Sequence, residues 1–469
     1  MVNVEQNHRA FSATGKAILA GGYLVLDPKY KAFVIALSAR MHALTHFTNN
    51  EKSNQLKISV KSPQFKDGCW SYVINVDQLI NNNDYRLLEL ENRRNPFVES
   101  TIGIILKYAY AHHLPIESKN IEITIFSDAE YHSQINSIAK KSNNDSFNFL
   151  YHKLPITEVS KTGLGSSAGL VTCLTAAFLS CYFKDFNVSN TEWKQKVHNL
   201  AQISHCKAQG KIGSGFDVAS ATFGSIIYKR FSPKLIDDLL LLKNNEFIRE
   251  LKTLIDDTNW EMVHDSCCMP KGIRLLMGDV QGGSETPKLV SKVLGWKKEN
   301  PERANFVWSN LDKNNMNLAE CLVKLRELSV KDSIKYDKLL QYLECHNGKE
   351  IAEQSEYPEL AEIANTVLNI RKYLKIMTNE AGAEIEPEEQ TVLLNSCAEL
   401  NGVLGGVVPG AGGYDAICLL VGNNSIESII KNTKKGSEDT RFDKIRWMDL
   451  QEQHQGLIEE KIIDFDGLY

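Results

Sequence analysis

Hydrophobic and polar positions along the chain follow two periods. Trp70–Val76 and Ile121–Phe126 alternate apolar and polar residues, the spacing of half-buried strands. Ala32–Ser38 and Leu56–Val60 are short runs bounded by polar residues, and both predict strands. Ile156–Ser160, Ser225–Phe231, Ile273–Val280 and Asp415–Val421 predict four more. Helical spacing covers Thr101–His113, and Gly169–Phe183 is almost entirely small or apolar, as a buried helix is. In Thr191–Gln209, Trp193, Val197, Leu200, Ala201 and Ser204 share one helical face. Leu360, Ile363, Ala364, Val367 and Leu368 form another stripe, and Glu388–Leu404 predicts a helix that ends at Gly405-Gly406. Asn81–Asp84 and Lys140–Asn148 are polar and Asn-rich, so they predict surface insertions. Strands and helices mix without regular βαβ alternation, which predicts α+β packing. Phe231-Ser232-Pro233 marks a boundary, giving expected domains of residues 1–232 and 233–469.

Composition narrows the function classes. The formal net charge is −5, so nucleic acid and anionic membranes are not expected partners, and an anionic ligand needs local cations. The ten cysteines include no C-x-x-C pair and no ligand spacing for zinc, which fits free thiols in a reducing compartment. The N-terminal residues lack the basic segment and apolar run of an export signal, and no apolar stretch reaches spanning length, so a cytoplasmic chain is expected. The residue pattern says nothing about oligomeric state.

Chemistry concentrates in glycine-rich strings. Lys161–Leu170 reads KTGLGSSAGL. Its glycines let backbone N–H groups approach an anion, its serines add hydroxyls able to donate to phosphate or ligate Mg²⁺, and the following helix points its positive end the same way. Taken alone, the string equally describes a strand-to-helix turn with a serine cap. A Walker A string is absent. Gly163, Gly165 and Ala168 fit a dinucleotide fingerprint, but the helix reaching almost to Asp185 leaves no room for the strand that fingerprint needs. Lys211–Asp217 (KIGSGFD) places an aspartate after a flexible turn, and Pro409–Asp415 (PGAGGYD) carries more small residues than a turn requires. Lys16 stands alone in the apolar segment Ser12–Tyr23 and needs a counter-charge, either Asp217 or a bound phosphate. Gly282–Pro287 (GGSETP) puts small residues and hydroxyls at a helix start, a further anion site or a plain cap.

Together, SATGKAILAGGY at 12–23, GLGSSA at 163–168 and GAGGYDA at 410–416 resemble the GHMP kinases, in that family's order and across most of the chain. Within the family, KTGLGSSAGL, AQGKIGSGFDVASATFGSIIYKRF (208–231) and GDVQGGSETPKLV (278–290) look most like the eukaryotic phosphomevalonate kinase branch. The resemblance implies a two-domain α+β fold: an N-terminal domain like domain 2 of ribosomal protein S5, and a ferredoxin-like C-terminal domain. It implies ATP and Mg²⁺ as cofactors, 5-phosphomevalonate as the small-molecule substrate, and a place in isoprenoid and sterol precursor synthesis. Other members, mevalonate kinase or diphosphomevalonate decarboxylase, are the alternative; ligand-sensing relatives would lack Lys16 or Asp217. Lys161 and Gly163, Leu164, Gly165, Ser166, Ser167 and Ala168 are expected at ATP, with Ser166 or Ser167 on the metal. Mevalonate kinase-like members add a glutamate ligand, and no glutamate here is assigned to that place. Lys16, Tyr23, Lys211, Ser214, Gly412 and Gly413 are expected at the substrate. Lys161 and Arg230 are further candidates for its phosphate. Lys16 and Asp217 are the expected catalytic pair. An acceptor phosphate monoester has a second pKa of about 6, so it is already largely ionised at neutral pH. Asp217 is therefore expected to orient Lys16 and balance its charge rather than to remove a proton.

Overall fold

The computed structural model describes residues 7–49, 55–82, 87–280, 286–434, 436 and 440–469. In chain order the elements begin with β1 (His8–Ala20), β2 (Ala32–Asn49), β3 (Gln55–Lys61), β4 (Cys69–Asn75), α1 (Val76–Asn81), α2 (Pro96–Ala111) and β5 (Lys119–Ser127). Next come β6 (Ser137–Lys141), β7 (Asn148–His152), α3 (Ser166–Tyr182), α4 (Thr191–Gln209), α5 (Phe216–Phe223) and β8 (Ile226–Lys229). Then follow α6 (Lys234–Leu241), α7 (Asn244–Asp256), β9 (Val263–Ser266), β10 (Ile273–Val280), α8 (Thr286–Glu299) and α9 (Pro301–Lys331). The chain ends with α10 (Ser333–Cys345), α11 (Gly348–Gln354), α12 (Pro358–Ala381), α13 (Glu388–Cys397), β11 (Val403–Val407), β12 (Ala416–Gly422), α14 (Ile426–Asn432), β13 (Ile445–Met448) and β14 (Ile458–Glu460).

The strands form two separate sheets and a hairpin, so the α+β expectation holds. One sheet runs β14-β1-β2-β5-β3-β4, with β8 on β2 and β9 on β8; the other runs β11-β12-β10-β13. Among the described residues, only β3 and β5 pair in parallel in the first sheet. Helices α3 and α5 pack on β1 and β2, and α2 and α4 pack on α3. The sequence of α3 explains that place: nearly every side chain from Ala168 to Tyr182 is buried. Helix α4 is started by the Asn190 side chain, which accepts from the Glu192 and Trp193 N–H groups, and stopped by Gly210 at φ +66°.

Several expected elements shift for identifiable reasons. Helix α2 starts at Pro96 because Asn95 caps it and proline suits the first helical position. Ile156–Ser160 is a turn, begun where Glu158 N–H donates to the Pro155 carbonyl, and not a strand. The Lys140–Asn148 insertion is the tip of the β6–β7 hairpin. The helix expected over Glu388–Leu404 stops at Cys397: Gly402 takes φ +86°, and Val403–Val407 becomes β11, with Gly405 at φ +152° where the register shifts. Asn83 and Asp84 of the first insertion, and residues 282–285 of the GGSETP string, lie outside the described residues.

The strand pairings also cross the expected division at 232/233. Both β9 and β14 come from the second half and join the first sheet. The C-terminal strand is held by a buried charge cluster. Glu460 accepts from Ser12 Oγ at 2.8 Å and meets His42 Nδ1 at 2.9 Å, while His42 Nε2 lies 3.3 Å from Asp128. Arg40 donates to Ser12 Oγ at 2.6 Å and to the Gly456 carbonyl. Burial alone would lower the His42 pKa, but Glu460 and then Asp128 outweigh it and raise it to about 9. A folded-state value above the unfolded one stabilises fully below pH ~6.5 and is lost as pH rises through the folded value. We expect wild-type stability to fall between pH 7 and 10 by up to ~3 kcal/mol more than that of His42→Gln, read as chemical denaturation at each pH.

Candidate active site

One cleft of about 810 Å³ gathers the sequence strings that lay far apart. Its walls carry Lys16 and Tyr23, Gly163 and Gly165, Lys211 through Asp217, and Gly410 through Gly412. Strand β1 brings Lys16 in beside a bulge at Thr14/Gly15. Gly15 leaves room there: an added Cβ would lie 3.3 Å from the Leu164 carbonyl. Lys16 N–H donates to that carbonyl at 3.0 Å, and its ammonium donates to the Gly163 carbonyl at 2.9 Å. The loop and the lysine thus fix each other. Burial pulls the Lys16 pKa below the ordinary lysine value, and the Asp217 charge opposes that shift. Lys16 and Asp217 form no ion pair among the described residues, so the carboxylate acts through space. The expected orienting partner is therefore replaced by the Gly163 carbonyl. Asp217 Oδ1 instead accepts from the Val218 N–H at 3.0 Å.

Gly163 at φ +75° and Gly165 at φ +83° turn the loop into α3, whose first turn has no side-chain cap. Helix α5 likewise starts uncapped behind Gly215 at φ +81°. Both helix starts leave N–H groups and a positive dipole end at the cleft. Gly215 admits no side chain, because a Cβ would lie 2.9 Å from Gln202, Tyr228 and Phe231 atoms. Arg230 spends its guanidinium on this loop, donating to the Leu26 and Gly213 carbonyls at 2.7 Å each. Tyr228 OH donates to the Ser214 carbonyl at 3.0 Å. Lys211 lines the cleft with an exposed side chain.

The third glycine string closes the far side. Tyr23 donates to the Ala411 carbonyl at 2.6 Å, and a Cβ on Gly22 would lie 2.7 Å from the Gly410 carbonyl oxygen. Gly412 at φ +80° packs its bare Cα against Ile385, and Gly413 donates its N–H to the Ile385 carbonyl at 3.0 Å. The unusual glycine density is therefore a packing requirement between the N-terminal motif and the C-terminal sheet.

Comparison with known proteins settles the lineage. Residues 135–225 match the GHMP kinases N terminal domain. The chain is 46% identical to the phosphomevalonate kinase of Candida albicans, over 98% of this chain and 100% of that one. It is 32% identical to the peroxisomal phosphomevalonate kinase of Arabidopsis thaliana, over 87% of this chain and 88% of that one. The chain belongs to the GHMP kinase family. Its fold matches that of Streptococcus pneumoniae phosphomevalonate kinase, solved in complex with phosphomevalonate and AMPPNP. That match has a TM-score of 0.60 at 15% identity and covers 95% of this chain and 99% of that one.

Not every expected residue of this GHMP kinase reaches the cleft. Lys161 is exposed outside its lining, and its backbone bridges to His132. Leu164 and Ala168 are buried; Ala168 packs with Val171, Ala201 and Val218. Ser166 and Ser167 stand in the first turn of α3, where Ser167 Oγ lies 3.1 Å from His205 Nε2. Arg230, a candidate for the substrate phosphate, does line the cleft, and its two terminal nitrogens donate to the Leu26 and Gly213 carbonyls. Thr162, Gln202, His205 and Gln209 line the cleft and were not expected there. A signal existed in α4, where His198, Asn199, Gln202 and His205 form a polar stripe beside the apolar face, and all four are buried.

Replacing Lys16 by Met removes a desolvated charge without changing side-chain length. We expect kcat to fall ~10²–10³-fold while the melting temperature holds or rises. Gly22→Ala should cost ~1–3 kcal/mol in denaturant titration, because the new methyl meets the Gly410 carbonyl.

Proposed function

We propose that the protein transfers the γ-phosphoryl group of ATP to 5-phosphomevalonate, giving ADP and 5-diphosphomevalonate. The observation that carries this reading is the pairing, across one cleft, of two uncapped helix starts, each flanked by a lysine: α3 with Lys16 and α5 with Lys211. Two anionic groups must meet for phosphate-to-phosphate transfer, and a chain of net charge −5 needs these local positive ends to hold them. Relatives named phosphomevalonate kinase that span nearly the whole chain support the same acceptor.

In this reading Gly163–Ala168 takes the ATP phosphates. Lys16 stabilises charge on the transferring phosphoryl group, and the Gly163 carbonyl holds its ammonium in place. Lys211 and Ser214 take the substrate phosphate, beside Tyr23, Gly412 and Gly413. Mg²⁺ neutralises the phosphate oxygens of the nucleotide when bound. The described residues contain no cluster of three or more His, Cys, Asp or Glu able to hold a metal, so the fit is to a cation carried in on the nucleotide, met by the hydroxyls of Ser166 and Ser167. All ten cysteines are unpaired, which suits a reducing compartment, and we place the chain in the cytoplasm.

Mass detection of a diphosphate product from 5-phosphomevalonate, ATP and Mg²⁺ tests the reading. Phosphorylation of mevalonate instead, or carbon dioxide release from 5-diphosphomevalonate, would overturn it. Lys211→Ala should raise KM for 5-phosphomevalonate about tenfold and leave KM for ATP unchanged, in steady-state assays with each substrate varied. Asp217→Asn should lose activity by a factor that grows from pH 6 to 9, because the carboxylate no longer opposes the lowering of the Lys16 pKa. A steep recovery with rising pH would mean that Asp217 removes a proton.

A further inference from the structure

We propose that an ordered water molecule, held by the side chain of Asn315, is built into the joint behind the far wall of the cleft and ties β1, α9 and β11 together. The buried face of α9 carries Val307, Leu311, Leu318, Leu322 and Leu325, with Asn315 in their midst. Asn315 is 1% exposed. Its amide nitrogen and its amide oxygen are both shut off from bulk solvent, and neither has a hydrogen-bond partner among the described residues. Leucine would fill that place without burying a polar group, whereas a buried amide with nothing to bond is strongly unfavourable. Asparagine at this position therefore calls for a polar partner.

Asn315 faces a cavity of about 20 Å³, which has room for a water molecule and for no organic ligand. Among the described residues that line it, Asn315 has the only polar side chain. The other polar groups are backbone, and they come from two places where ladder pairing lapses. The register of β1 against β2 shifts between Ile18 and Ala20, and both residues line the cavity. Such a bulge leaves backbone N–H and C=O groups outside the ladder. Strand β11 is the outer strand of its sheet, so alternate backbone groups point away from β12, and Val407 and Val408 also line the cavity.

This chemistry selects the ligand. A carboxamide presents N–H donors beside a C=O acceptor, and the bulge and the sheet edge present both kinds as well. Water matches that mixture because it donates and accepts. A metal cation would want about six oxygens and would face the N–H groups. No charged residue lines the cavity to balance an ion. Gly21, Gly22 and Gly410 share its wall, and Gly22 is the residue packed against Gly410. The water thus sits behind the contact that joins the N-terminal motif to the C-terminal sheet, and it adds a second polar tie beside that of Tyr23 to Ala411.

Crystals of the full chain that diffract well enough to show ordered water test the site directly. A peak is expected in the cavity, about 3 Å from an amide atom of Asn315. An empty cavity, an Asn315 amide turned onto backbone, or a peak with an anomalous signal after a rubidium soak would each overturn the proposal. Asn315→Leu gives an independent reading in urea titration. Its folding equilibrium constant should fall about tenfold, because the variant removes the water and leaves backbone groups of the bulge and the edge unpaired. An unchanged or higher constant would mean that the amide ties nothing, and the proposal would fail. In hydrogen exchange read by mass spectrometry, the same variant should exchange faster in peptides covering residues 18–23 and 405–411 and at wild-type rates elsewhere. Uniform acceleration across the chain would reduce Asn315 to a packing residue and overturn the tie. If Asn315→Leu does not fold, the wild-type density decides.

Discussion

The ammonium of Lys16 is the group on which the site depends. It is half-buried in the cleft wall, with one carbonyl at 2.9 Å and a carboxylate acting from beyond ion-pair range. A cation held this way is under-neutralised, and low surrounding polarity strengthens its attraction for any anion that enters. The structure supports it by backbone rather than by charge. A bulge in β1 offers the lysine, and the turn into α3 offers the carbonyl. Direct pairing with Asp217 would have neutralised that charge.

That geometry requires distant parts of the chain to close on one another. β14 pairs with β1, and Glu460 binds the side chains of Ser12 and His42. The strand that carries Lys16 is thus braced at its start by the last residues of the chain. Its other end meets the C-terminal sheet through bare backbone, where Gly22 lies against Gly410 and Tyr23 reaches Ala411. Glycine at these contacts is a matter of distance: a single methyl would hold the two halves apart. The polar stripe of α4 completes the floor, with Gln202 bracing the Gly215 turn and His205 meeting Ser167.

Local elements were legible wherever one physical effect dominated. Thr191–Gln209 reads as a helix from its apolar stripe, and it forms with those bounds because the Asn190 cap and the left-handed Gly210 agree with that stripe. Ile273–Val280 is likewise a strand as expected. Failures came where local preference met a tertiary demand. Residues 398–404 have helical spacing, but Gly402 turns left-handed and Val403 pairs into a sheet. Lys161 sits in the right string, yet a backbone bridge to His132 keeps it outside the cleft lining. Arg230 lines the cleft with two of its nitrogens bonded to the Leu26 and Gly213 carbonyls, which no one-dimensional reading exposes.

By itself the sequence determined the class of chemistry: glycine-serine loops, a lone lysine and an aspartate in a net-acidic chain, in an order that resembles one kinase family. These features are legible because backbone approach to phosphate demands glycine and charge demands a partner, whatever the fold. Only the tertiary structure decided who partners whom. It gave Lys16 a carbonyl in place of Asp217, spent Arg230 on a loop, joined the two ends of the chain in one sheet, and set His205 against Ser167. Hydrogen-bond partners are chosen by distances of a few ångströms between residues tens or hundreds of positions apart, and those distances exist only once the chain has packed.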